Sequence, residues 1–238
     1  MGNTQACCAT PTGPPKAEHR VLMVGLDGAG KTTTLQSIAR SQPACEEPQL
    51  NTLPTLSYSV EELRWRRERL LVWDVGGQDK LRALWRHFYG EVSCLVFVLD
   101  SGDKARLTEA RDELRSLLAA PELASTPLLV LANKQDLGYA CPTTEIEEIL
   151  QLSALDSGSD ARPWKLQPTS AWTGTGLSSA MDWVTEQVAG TTLSTQKDGE
   201  RLASLDANNT LACDTEVPLR QRRGGERRRR QHRRGSSQ

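Results

Sequence analysis

Residues 20–32 read Arg20-Val-Leu-Met-Val-Gly25-Leu-Asp-Gly-Ala-Gly30-Lys31-Thr32, and this stretch decides the fold. Arg20–Gly25 is a short apolar run with the length and branched content of a strand buried on both faces. The eight residues from Gly25 to Thr32 then fit the pattern GxxxxGK[ST]. Its glycines let consecutive backbone N–H groups curve around an anion, at the start of the helix predicted over Thr33–Arg40. Lys31 adds a positive charge between the β- and γ-phosphates of a nucleotide, and the Thr32 hydroxyl offers an oxygen to Mg²⁺. The residues expected along the phosphates are Gly25, Leu26, Asp27, Gly28, Ala29, Gly30, Lys31, Thr32 and Thr33. An incidental glycine turn is the competing reading. The strand before it and the helix after it favour a nucleotide site.

Outward from this loop the chain alternates between two periodicities. Ser57–Trp65 and Arg67–Trp73 read as a strand pair, and Cys94–Asp100, Leu128–Ala132 and Trp164–Ser170 as further strands. Helical patterns cover Lys80–Tyr89, Leu107–Ala119 and Leu177–Val188. Another covers Thr144–Leu152, where Thr144 and Glu147 have the spacing of a capping box. Such alternation predicts an α/β chain: a mostly parallel six-stranded sheet with helices on both faces.

Two later loops speak to the ligand's identity. Asn133-Lys134-Gln135-Asp136 follows the Leu128–Ala132 strand. A carboxylate only accepts hydrogen bonds, so Asp136 suits the N1–H and amino group of guanine and not the N1 acceptor of adenine. Asn133 can tie this loop to the phosphate loop, and the Lys134 stem can lie over the base. Asp74-Val-Gly-Gly77-Gln78 follows another strand. Asp74 is placed to reach Mg²⁺ through water, the Gly77 N–H to meet a γ-phosphate, and Gln78 to orient an attacking water as the catalytic residue. Thr55, kept in an extended stretch by Pro54, would supply a second hydroxyl to Mg²⁺.

These residues, with Trp73-Asp-Val-Gly-Gly-Gln-Asp-Lys-Leu-Arg-Ala-Leu-Trp-Arg-His87 between them, resemble the Arf/Arl family of small GTPases over about residues 18–190. Asp27 inside the phosphate loop, the WDVGGQ run and the ANKQDL run are similar to Arf proteins and unlike Ras or Rab relatives. The resemblance implies the small G-protein version of the P-loop NTPase fold, GTP and GDP as ligands with Mg²⁺, and GTP hydrolysis at a low intrinsic rate. It also implies that Ser170 and Ala171, in Pro163–Ala171, touch guanine through backbone N–H groups. Asn51–Thr55 and Gly76–Ala83 would close on Mg²⁺ and the γ-phosphate as switch I and switch II, an order–disorder change. In Arf proteins the hairpin between them also slides in register. Tyr58, Trp73 and Phe88 match three aromatics of the family's effector surface, although packing between strand and helix explains them equally well. The implied partners are an exchange factor, a GTPase-activating protein and effectors, acting on a monomer in membrane and vesicle traffic. No Arg is evident in cis, so an activating partner would supply one. Ser57 stands where Arf proteins usually carry Gly, and Gly28 where they carry Ala. The Arg64–Arg69 hairpin tip is basic, and reads as a solvated turn or a partner or membrane contact.

The 238 residues have 37% hydrophobic and 25% charged content and a net charge of −1. That balance hides an asymmetry. Arg220–Gln238 holds nine Arg against Glu226 alone, a net +8, which leaves −9 on residues 1–219. Residues 1–17, with three Pro, are expected to be flexible, and 191–219 to be a disordered linker before the Arg-rich tail at 220–238. The tail reads as an anionic-lipid contact, a nuclear-import or nucleic-acid segment, or a solvated charge block. Lipid contact leads because it would give a second anchor, and no RNP motif or zinc finger supports nucleic acid as the main task. Gly2 opens a myristoylation pattern with Ala6 at its last position, and Cys7 and Cys8 are palmitoylation candidates. The chain ends Ser-Ser-Gln without a CaaX box, so no prenyl anchor is expected. No signal peptide or 20-residue apolar span is read, and six Cys without CxxC spacing argue against zinc or a disulfide framework. The expected location is cytoplasmic and peripheral to a membrane. The alternatives are a GTP-binding scaffold with negligible hydrolysis and, on the tail alone, a nucleic-acid-binding protein.

Overall fold

A computed structural model describes residues 18–42, 58–157 and 161–190. Six strands form one sheet: β1 (Glu18–Val24), β2 (Tyr58–Trp65), β3 (Glu68–Val75), β4 (Cys94–Asp100), β5 (Leu128–Asn133) and β6 (Trp164–Pro168). Their order is β2-β3-β1-β4-β5-β6, and every pairing is parallel except β2 with β3. The helices are α1 (Lys31–Arg40), α2 (Asp79–Arg82), α3 (Leu107–Leu118), α4 (Thr143–Leu150) and α5 (177–190).

Alternation along the central strands explains why helices cover both faces. Leu22, Val24, Leu95, Phe97, Leu99, Leu128 and Val130 pack on one face with Leu107, Ala110, Leu114, Ile146 and Leu150 of α3 and α4. Val21, Met23, Val96, Val98, Leu129 and Leu131 pack on the other with Leu35 and Ile38 of α1 and Leu177, Met181 and Val184 of α5. A strand inside a parallel sheet has no solvent face, hence the unbroken apolar runs of β4 and β5.

Two predicted helices are corrected. Lys80–Tyr89 is not one helix: α2 stops at Arg82 and Trp85–Phe88 forms a separate 3-10 turn. Tertiary anchors cause the break. The Arg82 Nε donates to the Gly77 carbonyl at 3.0 Å, and the buried Trp85 indole N–H donates to the Gly76 carbonyl at 3.0 Å. Residues three apart stack in line only when the chain tightens toward a 3-10 pitch, and the Leu81→Gln78, Leu84→Leu81 and His87→Leu84 bonds have that spacing. The capping box at Thr144 does not form either. Helix α4 starts one residue earlier, with Pro142 at the N-cap and no side-chain cap. Its entry is fixed by the Cys141 N–H on the Ser101 carbonyl at 2.7 Å, which puts Thr144 inside the helix. Gln151, in a left-handed conformation, ends α4 before the predicted Leu152, which opens another 3-10 turn.

Residues 1–17, 191–219 and 220–238, and with them Gly2, Cys7, Cys8 and the Arg-rich tail, lie outside the described residues, as do Thr55 and Ser57. Among the described residues no helix is long and apolar enough to cross a membrane.

Candidate nucleotide-binding site

The sheet order places the candidate site. From β1 the chain crosses to β3 on one side and β4 on the other, and in such sheets ligands sit beyond the carboxyl ends of the strands at this reversal. The loop after β1, the Asp74–Gln78 segment ending β3, Asn133–Asp136 after β5 and Ser170–Ala171 after β6 all lie at those ends.

The phosphate loop leads into α1 through Gly30, whose φ of 90° is left-handed. A Cβ there would come 2.4 Å from Asn133 Nδ2, so the close approach of the β5 loop demands glycine. Lys31 is 6% exposed and its Nζ donates to the Gly25 and Leu26 carbonyls, each at 2.9 Å. An ammonium has three donors, and the geometry leaves the loop side of Lys31 suited to an anionic ligand. Burial pushes its pKa down to about 8, against the opposing charges of Asp74 and Asp27.

The Thr32 Oγ1 donates to Oδ2 of the wholly buried Asp74 at 2.5 Å. Gly77 lies directly on the phosphate loop. A Cβ at Gly77 would meet the Gly25 carbonyl oxygen at 2.2 Å and Lys31 Nζ at 2.5 Å. Gln78 is half-buried and caps α2, its carbonyl accepting from the Leu81 and Arg82 N–H groups. Hydroxyl, carboxylate and ammonium thus converge with a backbone cradle that only glycine permits, an arrangement that fits a phosphate chain with Mg²⁺.

At the base end the buried Asn133 does what its position predicts. Its Nδ2 donates to the Ala29 carbonyl at 2.8 Å, and its Oδ1 accepts from the Ala171 N–H at 2.9 Å, joining three loops. Lys134 is in a left-handed conformation with φ 67°, and its Nζ pairs with Asp100 Oδ2 at 2.6 Å, which fixes the stem. Asp136 is exposed, and the Ser170 hydroxyl donates to its Oδ1 at 2.5 Å.

The Ser170 and Ala171 backbone donors, expected along the base, both have partners within the protein. The Ala171 N–H is given to Asn133, and the Ser170 N–H to the Thr175 carbonyl at 3.0 Å. The loop turns tightly here, with the Gly174 N–H on the Ser170 carbonyl at 2.8 Å, so it satisfies its own donors. The Ser170 hydroxyl is the group of this pair that reaches the base-loop carboxylate, Asp136.

Sequence reasoning missed four residues around the site. Asp100 anchors Lys134 and also accepts from the Gly102 N–H at 2.8 Å. Its signal was present, because it closes β4 much as Asp74, one residue short of the end, does β3. Gln135 Nε2 reaches Ser101 Oγ at 2.9 Å and the Cys141 carbonyl at 3.1 Å. Arg82 and Arg106 bracket the phosphate loop, and no local motif marks either. Tyr58, Trp73 and Phe88 do come together, with ring centroids 5.1–5.7 Å apart, and Arg20 lies 4.3 Å over Trp73. The hairpin tip is not free: the Trp65 indole N–H and Arg66 Nε both donate to Asp182 Oδ1 on α5, at 2.8 and 2.9 Å.

The family model of the ADP-ribosylation factor family matches residues 9–188. Among solved structures, that of the Arl6 BBS3 small GTPase from Trypanosoma brucei with bound nucleotide analogue GppNp is similar. It superposes with a TM-score of 0.63 at 30% sequence identity, covering 73% of this chain and 98% of that one.

Proposed function

Because the chain belongs to the ADP-ribosylation factor family, whose members are GTPases, we propose that it works as a GDP/GTP switch using the site above. The observation that carries this reading is the meeting of three loops on one phosphate cradle: Gly77 from β3, Asn133 from β5 and the Gly25–Thr33 loop with its buried Lys31.

In this reading Lys31 and the loop N–H groups hold the phosphates, and Asp136, aimed by Ser170, selects guanine. The Lys134 stem, held by Asp100, supports one face of the base. Thr32, backed by Asp74, and Thr55 fit Mg²⁺, which when bound offsets phosphate charge. Gln78, at the head of α2, orients the water that attacks GTP, yielding GDP and phosphate. The Gly76–Ala83 segment takes part in switching through Gly77. Intrinsic turnover is slow and depends on a partner, with exchange and activating factors and effectors meeting the switch surface near Tyr58, Trp73 and Phe88. Gly2, Cys7 and Cys8 and the Arg-rich tail support peripheral attachment to a membrane from the cytoplasm, since stable anchoring takes two signals.

The test is to purify the full chain with Mg²⁺, denature it and identify the released nucleotide, then repeat with Asp136→Asn. Stoichiometric GDP from the native protein and a shift toward xanthine nucleotides in the variant are expected. Bound GTP that persists for hours would instead mark an occupancy-only scaffold. A protein that carries no nucleotide and refuses added GTP refutes both.

A further inference from the structure

Asp27, whose side chain is 47% exposed, sets a carboxylate inside the loop proposed to hold phosphates, where like charges repel. Protonation does not remove that charge. The Arg106 hydrogen bond, first among the influences on Asp27, holds its carboxyl below the ordinary carboxylate value. Two arginines face it instead. Arg106, ending the short turn before α3, donates from Nη2 to Asp27 Oδ1 at 2.6 Å and from Nη1 to the Asp27 carbonyl at 3.4 Å. Its Nε is held by Glu109 Oε2 at 2.9 Å. Arg82 Nη2 lies 3.8 Å from the same Asp27 oxygen.

Among the described residues the other cation that acts on Asp27 is Lys31, which is held by the Gly25 and Leu26 carbonyls. Arg82 is already engaged by Asp79 at 2.7 Å, Glu109 at 2.8 Å and Glu113 at 3.0 Å, besides the Gly77 carbonyl. Two guanidiniums therefore serve four carboxylates, and losing Arg106 would leave Asp27 under-compensated. Arg106 also draws the Asp27 side chain toward the start of α3, over a small cavity of about 20 Å³ lined by Leu26, Asp27, Ala29, Asp103, Arg106 and Leu107.

We propose that Arg106, acting through Asp27, is a positioning residue that sets the preference for a nucleoside triphosphate over a diphosphate. It neutralises the Asp27 carboxylate and holds it on the α3 side of the phosphate loop. The inference rests on the guanine-nucleotide reading above and deepens it. A third phosphate adds negative charge to a ligand on this loop, so the penalty for an uncompensated Asp27 is larger for the triphosphate.

The experiment compares affinities of the nucleotide-stripped full chain for GDP and GppNHp, with Mg²⁺ at low salt, in native protein, Arg106→Gln, Asp27→Asn and the double variant. Arg106→Gln is expected to weaken GppNHp about tenfold, the effect of one unit charge roughly 10 Å away at an effective dielectric near 20. GDP, which lacks the added charge of the third phosphate, should be weakened less than GppNHp, and the GppNHp penalty should shrink in high salt. Adding Asp27→Asn to Arg106→Gln should restore the native ratio, which a merely structural role for Arg106 would not. Equal losses for both nucleotides, or no rescue by Asp27→Asn, overturn the proposal while leaving the switch reading intact. Native protein that binds neither nucleotide refutes the switch reading, and this inference with it.

Discussion

Replacing Lys31 by Met should separate what the lysine does for a ligand from what it costs the fold. Lys31 is 6% exposed, and burial lowers its pKa from 10.5 to about 8. Between those values the unfolded chain keeps the proton and the folded chain does not, so this group's contribution to stability rises with pH. At about 1.4 kcal/mol per pKa unit, the cost carried below pH 8 is about 3 kcal/mol. Met fills a similar space without charge but forfeits two hydrogen bonds to the Gly25 and Leu26 carbonyls, each worth about 1 kcal/mol net. Nucleotide-free Lys31→Met should then be more stable than native protein by about 1 kcal/mol at pH 7. It should become less stable by about 2 kcal/mol near pH 10.5. Urea unfolding of both stripped proteins at pH 7, 9 and 10.5 gives the difference directly. Taking the difference also cancels Cys94 and Cys141, whose thiols burial pushes up to about 12 and about 11 and which act in the opposite sense. A difference independent of pH, or one in which native protein gains as pH falls, refutes the reasoning. The same variant should retain no nucleotide.

Three further outcomes are expected. Gly77→Ala must push the segment off the phosphate loop, because its Cβ would meet backbone at 2.2 Å, and a displacement of about 1 Å should slow single-turnover GTP hydrolysis roughly 100-fold. Unchanged turnover would place Gly77 outside the reaction. Ser170→Ala leaves Asp136 without its 2.5 Å hydroxyl partner and should speed GDP dissociation about tenfold, with a native rate in stopped-flow exchange arguing against the aiming role. Asp182→Ala removes the shared acceptor of Trp65 and Arg66 and should lower Tm by about 3–6 °C, with nucleotide affinity retained. An unaltered melt would show that the hairpin tip needs no anchor.

The sequence displayed most of the fold because apolar run length and spacing are local quantities. Cys94–Asp100 is a strand with the predicted bounds, and α3 differs from its prediction by one residue. What stayed hidden depends on distant partners. Nothing within Lys80–Tyr89 says that Arg82 will reach α3 or that Trp85 will bond the Gly76 carbonyl, and those contacts break the helix. Arg66 takes a left-handed conformation, φ 55°, without the Asn or Gly that usually marks such a hairpin. Asp182, more than 100 residues away, holds it. Gly25–Thr32 and Asn133–Asp136, motifs that carry their own local geometry, meet at the carboxyl end of the sheet. The turn through Gly174, which gives the Ser170 and Ala171 backbone donors protein partners, carried no local signal.

The same contacts that defeated the helix prediction define how far a switch can move. Gly77 cannot leave the phosphate loop without breaking or dragging Arg82, whose guanidinium is tied to Glu109 and Glu113 on α3. Helix α3 is fixed to the sheet through Leu107, Ala110, Leu114 and Leu117, all buried. Hydrogen bonds to charged groups contribute about 1.5–3 kcal/mol each when well formed, so a ligand that moves this segment must supply comparable differential affinity for the two positions. Trp85 marks the other limit. At 2% exposure it belongs to the core of the α3 face, and displacing it would expose a large apolar surface. Among the described residues, these contacts bound the segment between Gly76 and Leu84 on both sides. Within that span, the bonds of Arg82 are part of what any movement in the proposed switch has to offset.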